Sequence, residues 1–268
     1  HWLIFNKDLH WEIVRQYVFD STVIDAAGRT LKLTLVAMVL GVVLGLVIAV
    51  MRLSPNPLLR SVAWTYTWFF RGTPVLLQAL FWYAIPAVLH KVSLGVPFGP
   101  SWFDTDPKTL ITQFTAAALG LGLNEAAYMS EIARAGILSV DEGQSEAAAA
   151  LGFTRAQTLR RVVLPQAMRV IIPPTGNETI SMLKTTSVVF VIGYVELTTQ
   201  VQLISAQHLR VIPMFVVASS WYLAMTSVLT IGQFYLERRF ARGSSRNLRA
   251  TPIQQIQIRM LAMRRPAR

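Results

Sequence analysis

Long uncharged runs alternate with short polar ones along this chain. Leu33 to Met51 holds no charged residue, and Arg52 closes the run. At 1.5 Å per residue, such a helix nearly crosses a hydrocarbon core of about 30 Å. Leu58 to Phe70 is apolar and aromatic, Arg71-Gly72-Thr73-Pro74 interrupts it, and Thr73 to Leu89 is again uncharged. The pattern predicts a second span broken, or entered, at Gly72 to Pro74, with Pro74 suited to a first helical turn. Thr109 to Asn124 is apolar and continues into Glu125 to Ile137 as a third helix. Glu125 and Glu131 stand six apart and do not share a face of it. Val170 to Val195 predicts a fourth span that is broken, because Pro173-Pro174, Gly176-Asn177-Glu178 and Lys184 fall inside an otherwise apolar run. Val211 to Leu236 is uncharged and long enough to be a fifth. The expected fold is therefore an all-α membrane protein of five transmembrane helices. Gly41 and Gly45 form a small-xxx-small pair that lets another helix approach the first span closely.

The flanks divide the chain. Residues 1–29 mix Trp2, Phe5, Trp11, Tyr17 and Phe19 with charges, which suits an external or interfacial lead-in. Residues 30–240 are the membrane domain, with a Gly-, Pro- and Asp-rich loop from His90 to Lys108. Residues 241–268 form a basic tail, read as a solvated end touching anionic lipid. No repeat of fixed period and no separate soluble domain is read.

One stretch breaks the apolar pattern without ending it. Glu146 to Pro165 lies between hydrophobic segments and is itself polar and basic. Ala147 to Leu151 is strongly helix-forming, and Gly152 suits the left-handed residue that ends a helix. Thr154 and Gln157 fit a capping box that starts a second helix. Arg155, Arg160 and Arg161 give it a basic face, and Leu164-Pro165 is expected to end it. The prediction is two short, water-exposed helices bent at Gly152, within a loop spanning residues 139–168.

Composition agrees with a membrane protein. The 268 residues are 53% hydrophobic and only 15% charged, with a mean hydropathy of +0.45, whereas soluble domains carry about 25% charged residues. The net charge of +11 does not point to nucleic acid, since the positive residues sit in loops and tail and are not interleaved with stacking aromatics. There is no cysteine, and His1, His10, His90 and His208 have no ligand spacing, so no metal site is expected. The chain begins at His1, and no cleavable signal peptide is read. Arg52, Arg60, Arg155, Arg160, Arg161, Arg169 and the nine arginines of Glu237 to Arg268 fall on one side of the predicted spans. Lys7, Arg15, Arg29, Lys91, Lys108 and Arg210 fall on the other. The positive-inside rule then puts the N-terminus outside, and the 139–168 loop and C-terminus in the cytoplasm.

The spacing Glu146-Ala147-Ala148, three residues, Gly152, nine residues, Val162, one residue, Leu164-Pro165 resembles the EAA loop of ABC importer permeases. Valine stands for the usual isoleucine. Ala126 to Ile137, Gly143-Gln144, Phe70 to Pro74, Gly176-Asn177-Glu178 and Leu183-Lys184 with Thr186-Ser187 are similar to the polar amino acid branch of that family. Asp141 departs from it where proline is frequent. The resemblance implies a type I permease fold in the bacterial inner membrane. It implies a cytoplasmic coupling loop in which Glu146, Ala147, Ala148, Gly152, Leu164 and Pro165 dock onto two ATPase subunits. It also implies a second permease, copy or paralogue, and an external solute-binding protein that delivers a polar L-amino acid.

No Gly-x-x-x-x-Gly-Lys-Ser/Thr loop is present, so the chain is not itself expected to be the ATPase, and no cofactor is expected. Charge complementarity suggests the substrate pathway. The Gly72-Thr73 break and Lys184 receive the α-carboxylate, Glu178 and Asn177 receive the amino group, and Ser187 lies beside them. An ion-gradient-driven transporter or channel subunit would also explain ionisable groups at membrane depth. It would not explain a bent basic loop of this spacing.

Overall fold

The computed structural model describes residues 10–89, 91–95 and 101–240. The tail at 241–268 and the first residues of the lead-in lie outside the described residues. A short helix, α1 (Trp11–Tyr17), precedes α2 (Ser21–Leu53). Asp20 caps α2 by accepting from the Thr22 N–H at 2.8 Å. At 33 residues α2 is roughly 50 Å long, so it begins well before the apolar run and carries Asp25 and Arg29 beyond the hydrocarbon core. The expected boundary at residue 29 is thus internal to a continuous helix.

The second span is broken where expected. Helix α3 (Pro57–Gly72) and helix α4 (Val75–Val88) are separated by extended Thr73 and Pro74. The region after it is not simply a loop. Strands β1 (Val92–Gly95) and β2 (Ser101–Thr105) pair antiparallel, and Lys91 meets Asp104 at 2.8 Å. A single turn, α5 (Pro107–Leu110), leads into α6 (Gln113–Leu138). Then come α7 (Glu142–Ala150), α8 (Arg155–Thr158), a π turn (Leu159–Val163) and α9 (Leu164–Thr185). A 3₁₀ stretch (Thr186–Ile192), α10 (Leu197–His208) and α11 (Val211–Phe240) complete the described chain.

Two expectations are corrected here. Leu164-Pro165 does not end the helix that starts at Arg155. The π turn at Leu159–Val163 shifts the hydrogen-bond register just where Pro165 has no N–H to give, and the helix runs on into α9. Nor does the fourth span break at Pro173-Pro174 or Gly176. Helix α9 passes through both prolines. The Thr175 hydroxyl donates to the Ile171 carbonyl, and the Gln233 amide of α11 reaches the Pro173 carbonyl. The break comes one helix later, at Gly193 (φ 73°), where the chain turns by 50° into α10. Glu196, fully buried, caps α10 through the Thr198 and Thr199 N–H groups and accepts from the Tyr222 hydroxyl. The Thr30 hydroxyl accepts from the Leu197 N–H, and Arg29 donates to the Val195 carbonyl, tying the break to α2.

Among the described residues, α2 and α11 are long and apolar enough to cross a membrane alone, and the bent pair 155–192 with Leu197–His208 adds a third crossing if taken as one. The interrupted second span leaves two helices of about 24 and 21 Å, each too short by itself. Helix α6 is diluted by Asn124, Glu125, Glu131 and Arg134.

Helix α2 packs along α6 with little between the backbones. A Cβ on Gly45 would stand 2.6 Å from the Met129 Cβ and 3.0 Å from the Ala126 carbonyl oxygen. This is the close approach the Gly41-Gly45 pair predicts. Gly45→Val is expected to cost about 1–3 kcal/mol by overpacking. It should lower the unfolding temperature of the detergent-solubilised protein, whereas Gly28→Ala, with open space around it, should not. Equal unfolding temperatures for the two variants would contradict the packing. Elsewhere the outer faces of the helices are apolar and exposed, as with Leu35, Val43 and Val50 of α2 and Leu223 and Val228 of α11.

Candidate functional site

Two places bring the sequence-predicted residues together. The first is the α7–α8 hairpin. Helix α7 starts on Asp141, which accepts from the Gly143 N–H. It ends at Gly152 (φ 79°), whose N–H bonds to the Ala149 carbonyl at 2.9 Å while the Phe153 N–H reaches back to Ala148 at 3.0 Å. This double closure is a Schellman ending, and it needs a left-handed residue at Gly152. The Thr154 hydroxyl then accepts from the Gln157 N–H, and the Gln157 side chain accepts from the Thr154 N–H, so both halves of the capping box are formed. Glu146, Ala147, Gly152, Leu164 and Pro165 are exposed, and Leu151 between the helices is 77% exposed. Ala148 alone of the expected docking set is buried, at 4% exposure, so it packs the hairpin from within. An apolar groove beneath, lined by Ile137, Leu138, Ala149, Phe153 and Val163, joins the hairpin to the end of α6.

The second place is a cavity of about 540 Å³ at the break between α3 and α4. Gly72, Thr73 and Glu178 line it, as the sequence suggests. So do Arg71, Asn124, Glu125 and Tyr128, which sequence reasoning did not assign. Helix α4 begins on Pro74 without a side-chain cap, leaving its first N–H groups open at the cavity. Two amides hold the break in shape. The Gln78 Nε2 donates toward the Phe70 carbonyl and the Thr73 hydroxyl and carbonyl, at 2.9, 2.8 and 3.1 Å. The Asn124 Nδ2 donates to the same Phe70 carbonyl at 2.7 Å. The Arg71 guanidinium lies 5.2 Å from the Tyr128 ring centroid. Glu125 is only 4% exposed, and its Oε1 has no hydrogen-bond partner. The ionisable groups in the cavity are thus one guanidinium and two carboxyl groups, besides the Tyr128 hydroxyl, with a helix N-terminus on one wall.

The remaining expected pathway residues lie outside the lining of this cavity. Asn177 is exposed and accepts from Gln233 at 2.9 Å. Lys184 is exposed on α9, and Glu178 and Lys184 do not pair. The Ser187 hydroxyl donates to the Lys184 carbonyl, closing the turn into the 3₁₀ stretch. Because α9 stays helical, residues 177, 184 and 187 point to sides other than that of Glu178, which shares its face with Ser181, Met182 and Thr185. Glu125 carried one readable signal: an acid set within a long apolar run.

A cavity with charged groups at a broken helix, and a capped hairpin at the end of the bundle, define a membrane translocation subunit. Comparison with known proteins gives its family. Residues 41–242 match the family described as binding-protein-dependent transport system inner membrane component, and the chain belongs to it. It is 49% identical over 247 residues to the arginine transport system permease protein ArgU of Corynebacterium glutamicum, covering 91% of this chain and 76% of that protein. It is 35% identical to the glutamine transport system permease protein GlnP of Escherichia coli, covering 81% and 91%. A solved structure described as an amino acid ABC transporter with histidines superimposes with a TM-score of 0.68 at 36% identity, over 81% of this chain and 94% of that one. The chain is the membrane permease subunit of an ABC importer for amino acids, and ATP hydrolysis belongs to a separate chain. The ion-gradient alternative is set aside by the same findings.

Proposed function

We propose that this permease carries a polar L-amino acid with a cationic side chain through the cavity at the α3–α4 break. The observation that carries the reading is the pair of carboxylates, Glu125 and Glu178, opposite a single guanidinium. An amino acid's carboxylate matches Arg71 and the open N–H groups at the start of α4, beside Gly72 and Thr73. Its α-amino group matches one acid, and a second positive charge matches the other. A neutral side chain would leave one carboxylate without a counter-charge, at a cost that grows as water is excluded. Relatives named for arginine and for glutamine transport are both similar to this chain, so the choice between the substrates rests here on the cavity's charge.

Five spans support this path: α2, α3 with α4, α6, α9 with the stretch that follows it, and α11. The distribution of basic residues supports an outer N-terminus and an inner hairpin and C-terminus. An external binding protein delivers the substrate, a second permease copy or paralogue completes the assembly, and two ATPase subunits grip the hairpins. Closure of the ATPases on ATP pushes α7 and α8. Helix α8 is continuous with α9 through the π turn, so the push reaches Glu178 along one rod.

The test is ATP hydrolysis by the reconstituted complex with its binding protein. Arginine or lysine should stimulate hydrolysis at least tenfold more effectively than glutamine at equal concentration. Equal stimulation by glutamine would remove the charge assignment. Lys184→Ala should leave the apparent substrate affinity within about twofold, because Lys184 stands outside the cavity. A tenfold loss would restore Lys184 to the pathway.

A further inference from the structure

At the hairpin's end of the bundle, a wider cavity of about 900 Å³ opens between the last residues of α2, the first half of α3 and the end of α6. Arg52, Arg60 and Arg134 line it, with Ser54, Trp64 and Leu138. It shares no lining residue with the amino acid cavity. Leu138 also lines the groove under the hairpin, which places both features at the same end.

The charges here are unbalanced. Glu131 bridges Arg52 at 3.0 Å and Arg134 at 2.8 Å. Arg60 is exposed, and no carboxylate pairs with it among the described residues. One acid among three guanidiniums leaves two positive charges in excess. The bridge holds Arg52 and Arg134 in place, so little side-chain freedom is lost when an anion arrives.

The depth is set by the sequence. Arg52 follows directly on the uncharged run Leu33 to Met51, so the guanidiniums stand where hydrocarbon gives way to headgroups. Trp64 and Trp68 are exposed one turn apart on α3 with stacked rings 6.2 Å between centroids, as suits an interfacial aromatic belt. On α2, Val43, Val47 and Val50 are exposed at helical spacing and lead to Ser54 at the cavity wall. An apolar track thus ends in a cationic pocket.

We propose that this cavity holds the phosphodiester headgroup of an anionic membrane lipid. Arg60 and the Arg52–Arg134 pair grip the phosphate, Trp64 lies against the glycerol backbone, and an acyl chain follows the valines of α2. A choline headgroup would bring its own positive charge toward the guanidiniums and is disfavoured. A free phosphate would use the arginines but gain nothing from the valine track. This places a lipid between α2, α3 and α6, next to the groove under the hairpin.

The experiment uses the full chain in complex with its ATPase subunits, stripped of lipid in detergent and read by native mass spectrometry. The probes are phosphatidylglycerol, phosphatidylcholine and inorganic phosphate. The expected result is saturable phosphatidylglycerol binding, about tenfold tighter than phosphatidylcholine and not displaced by millimolar phosphate. Arg60→Gln should weaken it about five- to tenfold, Arg60→Lys should retain most of it, and Arg169→Gln, outside the cavity, should change nothing. Equal binding of phosphatidylcholine, or no effect of Arg60→Gln, would overturn the proposal. Full displacement by phosphate would also overturn it, and would mark a site for a free anion instead.

Discussion

Gly152→Asp is expected to insert and fold normally, yet to reduce transport more than tenfold and abolish co-purification of the ATPase subunits. The space around Gly152 makes this a clean test. A Cβ there meets nothing within 4 Å, so the cost of a side chain is that of the left-handed backbone and not of a Cβ clash. Aspartate is among the few residues that adopt a left-handed conformation at modest cost. The Schellman ending at Ala148 to Phe153 should therefore survive. What changes is the outer surface, where a charge and a side chain now stand between Leu151 and Thr154. An interface with another chain registers that change most directly. Loss of coupling would be read as the ratio of substrate-stimulated ATP hydrolysis in variant and wild type. Normal coupling would mean that the bend touches no partner.

The second large effect concerns the two acids of the cavity. Glu125→Gln and Glu178→Gln are each expected to weaken apparent affinity for a cationic amino acid about 10- to 100-fold. This is the scale of losing one hydrogen-bonded charge partner, roughly 1.5–3 kcal/mol. Both changes keep the shape of the side chain, so packing of α6 on α2 should be unaffected. The Glu125 change removes a carboxylate whose Oε1 has no protein partner, so the apo protein loses no hydrogen bond there. Uptake assays with arginine and glutamine side by side would check the assignment. One of the two changes should weaken both substrates, through the shared α-amino group, and the other should weaken arginine alone. Equal losses for both substrates in both variants would point to a structural role, and no loss for either would exclude the cavity.

Much of the fold was legible from the spacing of uncharged runs. The break at Gly72 to Pro74 could be read because a glycine and a proline together release backbone groups that the helix cannot use. The bend of the hairpin could be read to the residue, since a left-handed glycine and a capping box are local devices, but the end expected at Leu164-Pro165 could not. The fourth span was misread because the prolines of α9 looked decisive. The helix runs through them all the same, and the side chains that contact this stretch include Gln233, which is 60 residues from Pro173 and invisible to a local rule. The real break had signals too, in Gly193 and the capping Glu196, but the first lay among apolar residues and the second just past the end of the run read as the span. The paired strands at Val92–Gly95 and Ser101–Thr105 were hidden by the Gly and Pro residues around them. The site was half legible. Glu178 stood out as an acid among prolines, whereas Glu125 is packed against Gly41 of α2, a contact between distant parts of the chain that no local rule reveals.

The hairpin's role can be measured most directly with a single thiol. The chain has no cysteine, so Ala156→Cys on the exposed face of α8 would be its only one. In the assembled transporter this thiol should cross-link to an ATPase subunit, and an impermeant thiol reagent outside intact cells should not reach it. Labelling from outside, or a fully active transporter in which no ATPase cross-link forms, would contradict the account.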